Sequence, residues 1–177
     1  MAMLGDRLDE LAAYLKSPSS RGRLAMLVYA PLLERRLVGQ MPAFISLLKQ
    51  TGLRVHVIDI NHEVNSVLGA RLDDVVEAWR YERDEAKHAI AAQAVPAIVQ
   101  ATLSGCSAHP DVILWSRVGG AYPFLSVASL MENVTGKIDA TLVVFYPGSL
   151  DGKTRLRLLD ERDGYQYRAD FLRTVDE

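Results

Sequence analysis

Four apolar stretches punctuate the chain, and helical periodicity fills the gaps between them. Leu24–Tyr29 (LAMLVY) is a continuous apolar run, the pattern of a strand covered on both faces. Leu53–Ile60 (LRVHVIDI) is rich in β-branched residues and reads as a second strand. Asp111–Arg117 and Ala140–Tyr146 supply a third and a fourth.

The first helix is expected over Asp6–Lys16, where Leu8, Leu11, Ala12 and Leu15 share one face and Asp6 stands at the N-cap. SPSS at 17–20 breaks it. Pro31 suits the start of a second helix, which carries Leu33, Leu37, Met41, Phe44, Ile45 and Leu48 and ends at Gly52 in the C′ position. Pro42 inside it predicts a kink or a split. A short helix or irregular turn covers 61–69. One long amphipathic segment then runs from Leu72 to about Leu103, bent or interrupted at Pro96. Residues 104–110 read as a loop, and Phe124–Val134 as a helix entered through GGAYP.

Strands separated by helices imply parallel pairing with right-handed crossovers. The fold class is therefore α/β, a single three-layer domain over residues 1–177 with a mainly parallel sheet. The alternation at 154–160, the Asp163-Gly164 pair and the stretch Tyr165–Leu172 add a C-terminal β-hairpin over 154–172.

Composition narrows the partners. The chain has 177 residues, long enough to bury a real core in one domain. Its formal charge of -2 leaves no overall electrostatic footprint for nucleic acid. Direct DNA reading would need Arg21, Arg23, Arg155 and Arg157 to converge on one face. The single cysteine, Cys106, excludes an intramolecular disulfide and argues against a Cys-based zinc site. No secretory h-region and no apolar run near ~18 residues stands out, so the expectation is a cytoplasmic protein without membrane contact.

The stretch FYPGSLDGKT, Phe145 to Thr154, ends as a nucleotide-binding P-loop does. A P-loop needs four residues between its glycines and a helix directly behind. Gly148 and Gly152 enclose three residues, and a strand pattern follows. Other leads are as weak. Ser46 and Lys49 match S-x-x-K inside an amphipathic helix, without companion motifs. His56 and Asp59 are three apart on an extended strand and point to opposite faces, which argues against a metal shared with His62. Asp59 has no G-x-G-x-x-G partner for a ribose site. Ser104, Cys106, Ser107 and His109 merely share a loop. No catalytic residue, cofactor or metal ligand is assigned, and the chain is expected not to be an enzyme.

Two strand exits carry more information: Gly119, Gly120, Tyr122, Pro123 and Phe124 after strand three, and Phe145, Tyr146, Pro147 and Gly148 after strand four. Loops at strand carboxyl ends form the functional edge of open α/β sheets. Tyr122 and Tyr146 either present aromatic contact surface or pack on the sheet while the loops reverse the chain. Trp79 is either core or an interface anchor.

VGGAYPFLSVASLMENV followed by ATLVVFYPGSLDG, with the terminal YQYRADFL, resembles the BrxB family, the small B component of bacterial BREX phage-exclusion systems. The specific elements are GxxYPF, matched by Gly119, Tyr122, Pro123 and Phe124, and the F-[YF]-P-G strand end, matched by Phe145 to Gly148. The resemblance implies a core accessory protein without assigned catalysis. It would act as an adaptor that binds another BREX component, PglZ first and the large AAA+ ATPase second. The alternative is a small-ligand or nucleotide-binding domain with a degenerate NTPase-like site in the same loops.

Overall fold

The computed structural model describes residues 4–70, 72–151, 155–159 and 169–173. The strands are β1 (Leu24–Tyr29), β2 (Val55–Asp59), β3 (Val112–Ser116), β4 (Thr141–Asp151), β5 (Arg155–Leu158) and β6 (Asp170–Arg173). They form one sheet in the order β2-β3-β4-β1-β6, each neighbouring pair parallel, with β5 antiparallel to the far end of β4. The three-layer α/β expectation holds.

Side-chain alternation along the strands builds two cores. Met26, Val28, Ile113, Trp115, Leu142 and Val144 pack under α3 (Ile60–Gly69), α5 (Arg83–Gly105) and α6 (Val127–Val134). Ala25, Leu27, Tyr29, Leu114, Val143 and Phe145 pack under α1 (Leu4–Lys16) and α2 (Glu34–Gln50). Each fully buried large side chain contributes roughly 1.5–3 kcal/mol. The unbroken apolar runs of the central strands follow from this, since both of their faces are covered.

Helix ends obey local chemistry. Gly52, with φ of 87°, closes α2 in a Schellman arrangement: its N–H donates to Lys49 O at 3.0 Å and Leu53 N–H to Leu48 O at 3.2 Å. α1 begins at Leu4, so Asp6 lies in the first turn, where a carboxylate favours the helix dipole, and not at the N-cap. Pro42 does not split α2, and Pro96 does not split α5. Both prolines are exposed, and so are Val38 and Ala92, whose carbonyls lose their partner. Water can take those carbonyls, which removes most of the cost of a buried proline.

The long helical segment breaks elsewhere, at Glu82. α4 (Leu72–Tyr81) ends there and folds back against α5, bringing Val75 and Ala78 over Ala86, Ala89 and Ile90. A straight helix would leave that apolar side in water. By length and composition Arg83–Ala108 could cross a membrane. Here Ala86, Ile90, Ala94, Ile98 and Thr102 recur every fourth residue and are all buried on the core side.

One expectation for the C-terminal part is corrected. Among the described residues the expected hairpin of 154–160 with 165–172 does not form: β5 pairs with β4, and β6 lies parallel beside β1. The reason is apolar on two sides, because Phe171 joins one core and Leu172 the other, as an added sheet strand requires. The proposed Asp163-Gly164 turn lies outside the described residues.

Tyr14 of α1 pins β6 by donating from its hydroxyl to Asp170 Oδ2 at 2.6 Å. Burial first, and the Asp170 hydrogen bond second, push the Tyr14 phenol from 10.0 up to about 12. A raised pKa favours the folded state fully below the ordinary value, and the contribution fades as pH climbs through the folded value. Tyr14→Phe is therefore expected to cost about 1 kcal/mol near neutrality, discounted for partial exposure. Denaturant titrations of both proteins should converge on the alkaline limb; a constant gap across that limb would contradict the assignment.

Candidate functional site

The carboxyl ends of β1, β2, β3 and β4 open into one cleft of about 270 Å³. Pro31 and Glu34 reach it from the segment after β1, Asn61 from α3, Arg117, Gly119 and Gly120 from the segment after β3, and Pro147 and Leu159 from the β4–β5 ribbon. This is where parallel α/β sheets hold their ligands and partners, because every crossover loop leaves from the same edge.

Each wall has a local cause. Asp59 ends β2, accepts from His62 N at 3.0 Å to cap α3, and takes Arg117 Nη1 at 3.0 Å through its other oxygen. The cap sets where α3 starts, and so places Asn61 in the cleft. Arg117 adopts φ of 54°, a left-handed turn unusual for a side chain of its size, and the backbone then enters a 3₁₀ turn over Val118–Ala121. Gly120 is required beside Asn61: a Cβ there would lie 2.6 Å from Asn61 Cβ and 2.8 Å from its Cα. On the opposite wall the Tyr29 hydroxyl donates to Glu34, and burial first, then the charge of Glu34, holds that phenol far above its ordinary range.

The GxxYPF element divides its roles. Tyr122 is exposed, Pro123 is half-buried behind a cis Tyr122–Pro123 peptide, and Phe124 turns inward to meet Trp79 edge-on at 5.7 Å. Helix α6 begins at Val127, capped by Ser126, so Phe124 precedes the helix rather than opening it. Trp79 is half-buried and serves as a clamp between α4 and Phe124.

The second element is not an exit loop. Phe145, Tyr146, Pro147 and Gly148 all lie within β4 and are buried. Phe145 packs edge-on against Phe44 at 6.0 Å, and Tyr146 belongs to the core beneath α5 and α6, so only Tyr122 of the two tyrosines offers surface. The strand changes partner here. Through Pro147 it pairs with β1, and from Gly148 onward with β5. Proline gives up a ladder donor where one partner ends, and glycine admits the Arg157 carbonyl into space that a Cβ would occupy. A strand therefore precedes and another follows the GKT triplet, which itself lies outside the described residues.

The remaining leads resolve simply. His56 Nε2 lies 3.3 Å from Ala101 O, and its imidazole occupies the space that a Cβ at Gly105 would take. Cys106 is half-buried, and burial first, then Asp139, raises its thiol above the ordinary range. Ser46 Oγ donates to Pro42 O at 2.8 Å. No group of three metal-ligating side chains occurs among the described residues.

A family model described as BREX protein BrxB matches residues 47–172, well over half of the chain and both motif elements. The chain belongs to the BrxB family. Membership makes it a component of a BREX phage-defence system. No curated protein and no solved structure matches it. In this BrxB-family chain, sequence reasoning found Gly119, Gly120 and Pro147 on the cleft but missed Glu34, Asn61, Arg117 and Leu159. Only the tandem glycine beside Arg117 hinted at a close approach.

Proposed function

We propose that this chain is a non-enzymatic adaptor of BREX phage defence, acting in the cytoplasm and binding PglZ first and the large AAA+ ATPase second. The observation that carries the reading is Leu32, a large apolar side chain 96% exposed at the sheet's carboxyl edge, between two residues that line the cleft. Tyr122, 47% exposed, leaves the same edge after β3. Large apolar and aromatic side chains left in water beside a cleft are where a partner can bury area. Family membership supports the class of partner.

Leu32→Asp is expected to weaken the complex with purified PglZ by roughly 30-fold, as loss of a hot spot does. An exposed site away from the core should leave the melting temperature almost unchanged. Size-exclusion chromatography with light scattering on wild type and variant reads both the complex and its stoichiometry. Wild type eluting alone beside PglZ and the ATPase would sink the adaptor reading.

A small ligand in the same cleft is the second reading, favoured by Asn61 and Arg117 at the carboxyl edge of a parallel sheet. Nucleotides screened by thermal shift discriminate the two, since a ligand at 100 times its Kd stabilises by about 2.7 kcal/mol.

A further inference from the structure

α4 presents a second, chemically different surface. Asp73, Val76, Glu77, Arg80 and Tyr81 line a shallow hollow of about 320 Å³ on its outer side. The first four fall at the i, i+3, i+4, i+7 spacing of one helix face. Val76 is 46% exposed and Tyr81 81% exposed, so apolar area faces water where the opposite side of α4 already packs against α5. None of the described side chains of α4 is fully buried. A helix of ten residues is too short to persist alone, and its packing on α5 together with Trp79 on Phe124 holds it in place.

The charge around this apolar pair has one sign in excess. Asp73 and Glu77 lie in the hollow, and Glu82 and Glu85 follow at the elbow into α5. Arg80 and Arg83 oppose them, while Lys87 is engaged by Asp84 at 3.2 Å. Glu82 and Glu85 crowd each other: a hydrogen bond between the two carboxyls, and then the neighbour's charge, hold Glu82 above the usual carboxylate range. A nearby cation would relieve that repulsion.

We propose that the outer face of α4, centred on Val76 and Tyr81, with Asp73, Glu77 and Arg80 in the same hollow and Glu82 and Glu85 at the adjoining elbow, docks a Lys/Arg-rich segment of a partner protein. The Tyr81 ring offers its face to a guanidinium or ammonium group, Val76 takes the alkyl stem, and the carboxylates fix the register. The occupant is selected by charge: an acidic or neutral apolar segment would bury unmatched carboxylates. This inference rests on the adaptor reading and adds a second contact face, on a different element from Leu32.

The test uses the full chain with purified PglZ and the large ATPase, each separately. Affinity is measured for wild type, Tyr81→Ala and the double variant Glu77→Lys with Glu85→Lys, all exposed positions whose fold circular dichroism can check. The double variant should weaken binding to one of the two by ~10-fold or more at low salt, and the gap should narrow as ionic strength rises and screening shortens the range. A benzophenone cross-linker at position 81 should then label a Lys/Arg-rich segment of that protein. Unchanged affinity in both variants overturns the proposal while leaving the adaptor reading intact, as does labelling of a non-basic segment or of a second copy of this chain. Wild type that binds neither protein removes both.

Discussion

Replacing Trp115 with alanine is expected to cost about 3–5 kcal/mol, the range for truncating a large core aromatic. Trp115 is fully buried on β3, the strand that carries the chain to Arg117 at the cleft. Its indole N–H donates to Thr102 Oγ1 at 3.1 Å, and that hydroxyl, also fully buried, donates to Ile98 O at 2.8 Å. The side chain thus fills the space under α5 and gives its own polar atom a partner. Alanine would leave a cavity that close packing cannot absorb, because β3 is held on both sides by β2 and β4. For a chain of this size the melting temperature should drop by about 6–20 °C. Trp115→Phe keeps most of the volume and should recover much of the loss. A drop of less than ~1 kcal/mol for alanine would show that the site collapses freely, contrary to this packing.

Gly148→Ala should be nearly as damaging, at about 3 kcal/mol, though it adds only one methyl group. The added Cβ would overlap the Arg157 carbonyl oxygen and sit 3.0 Å from its carbon. Both atoms are backbone, so no rotamer change relieves the contact. The only response is to move β5 off β4, which exposes Leu156 and Leu158, both buried in the native ribbon. Leu159 would move with them, breaking its N–H to Pro147 O bond of 2.9 Å and opening one wall of the cleft. Hydrogen exchange should show faster exchange of the β5 amides first, with the β1–β4 ladder still protected. Native protection at β5 in the variant would mean that the ribbon accommodates a side chain there.

These two residues also show how legible the chain was. Trp115 sits in VILW, an apolar run that reads as a buried strand from its pattern alone. Gly148 was singled out as a turn glycine, yet it works inside a strand as the place where one partner is exchanged for another. The residue was visible and its role was not, because the demand for glycine comes from a carbonyl nine positions away in sequence.

The same division runs through the molecule. Periodicity by itself determined the four parallel strands, the two-sided burial of β1, the helix ends at Gly52 and Ser17, and the failure of the P-loop pattern. Each depends on neighbours within a turn or two of chain, where side-chain spacing reports geometry directly. Tertiary structure alone decided that β6 joins β1, that β5 folds onto β4, that α4 doubles back at Glu82, and that Arg117 meets Asp59 beside Asn61. Strand pairing is made by backbone groups common to every residue, so the partner is chosen by which apolar faces the whole fold still has to cover.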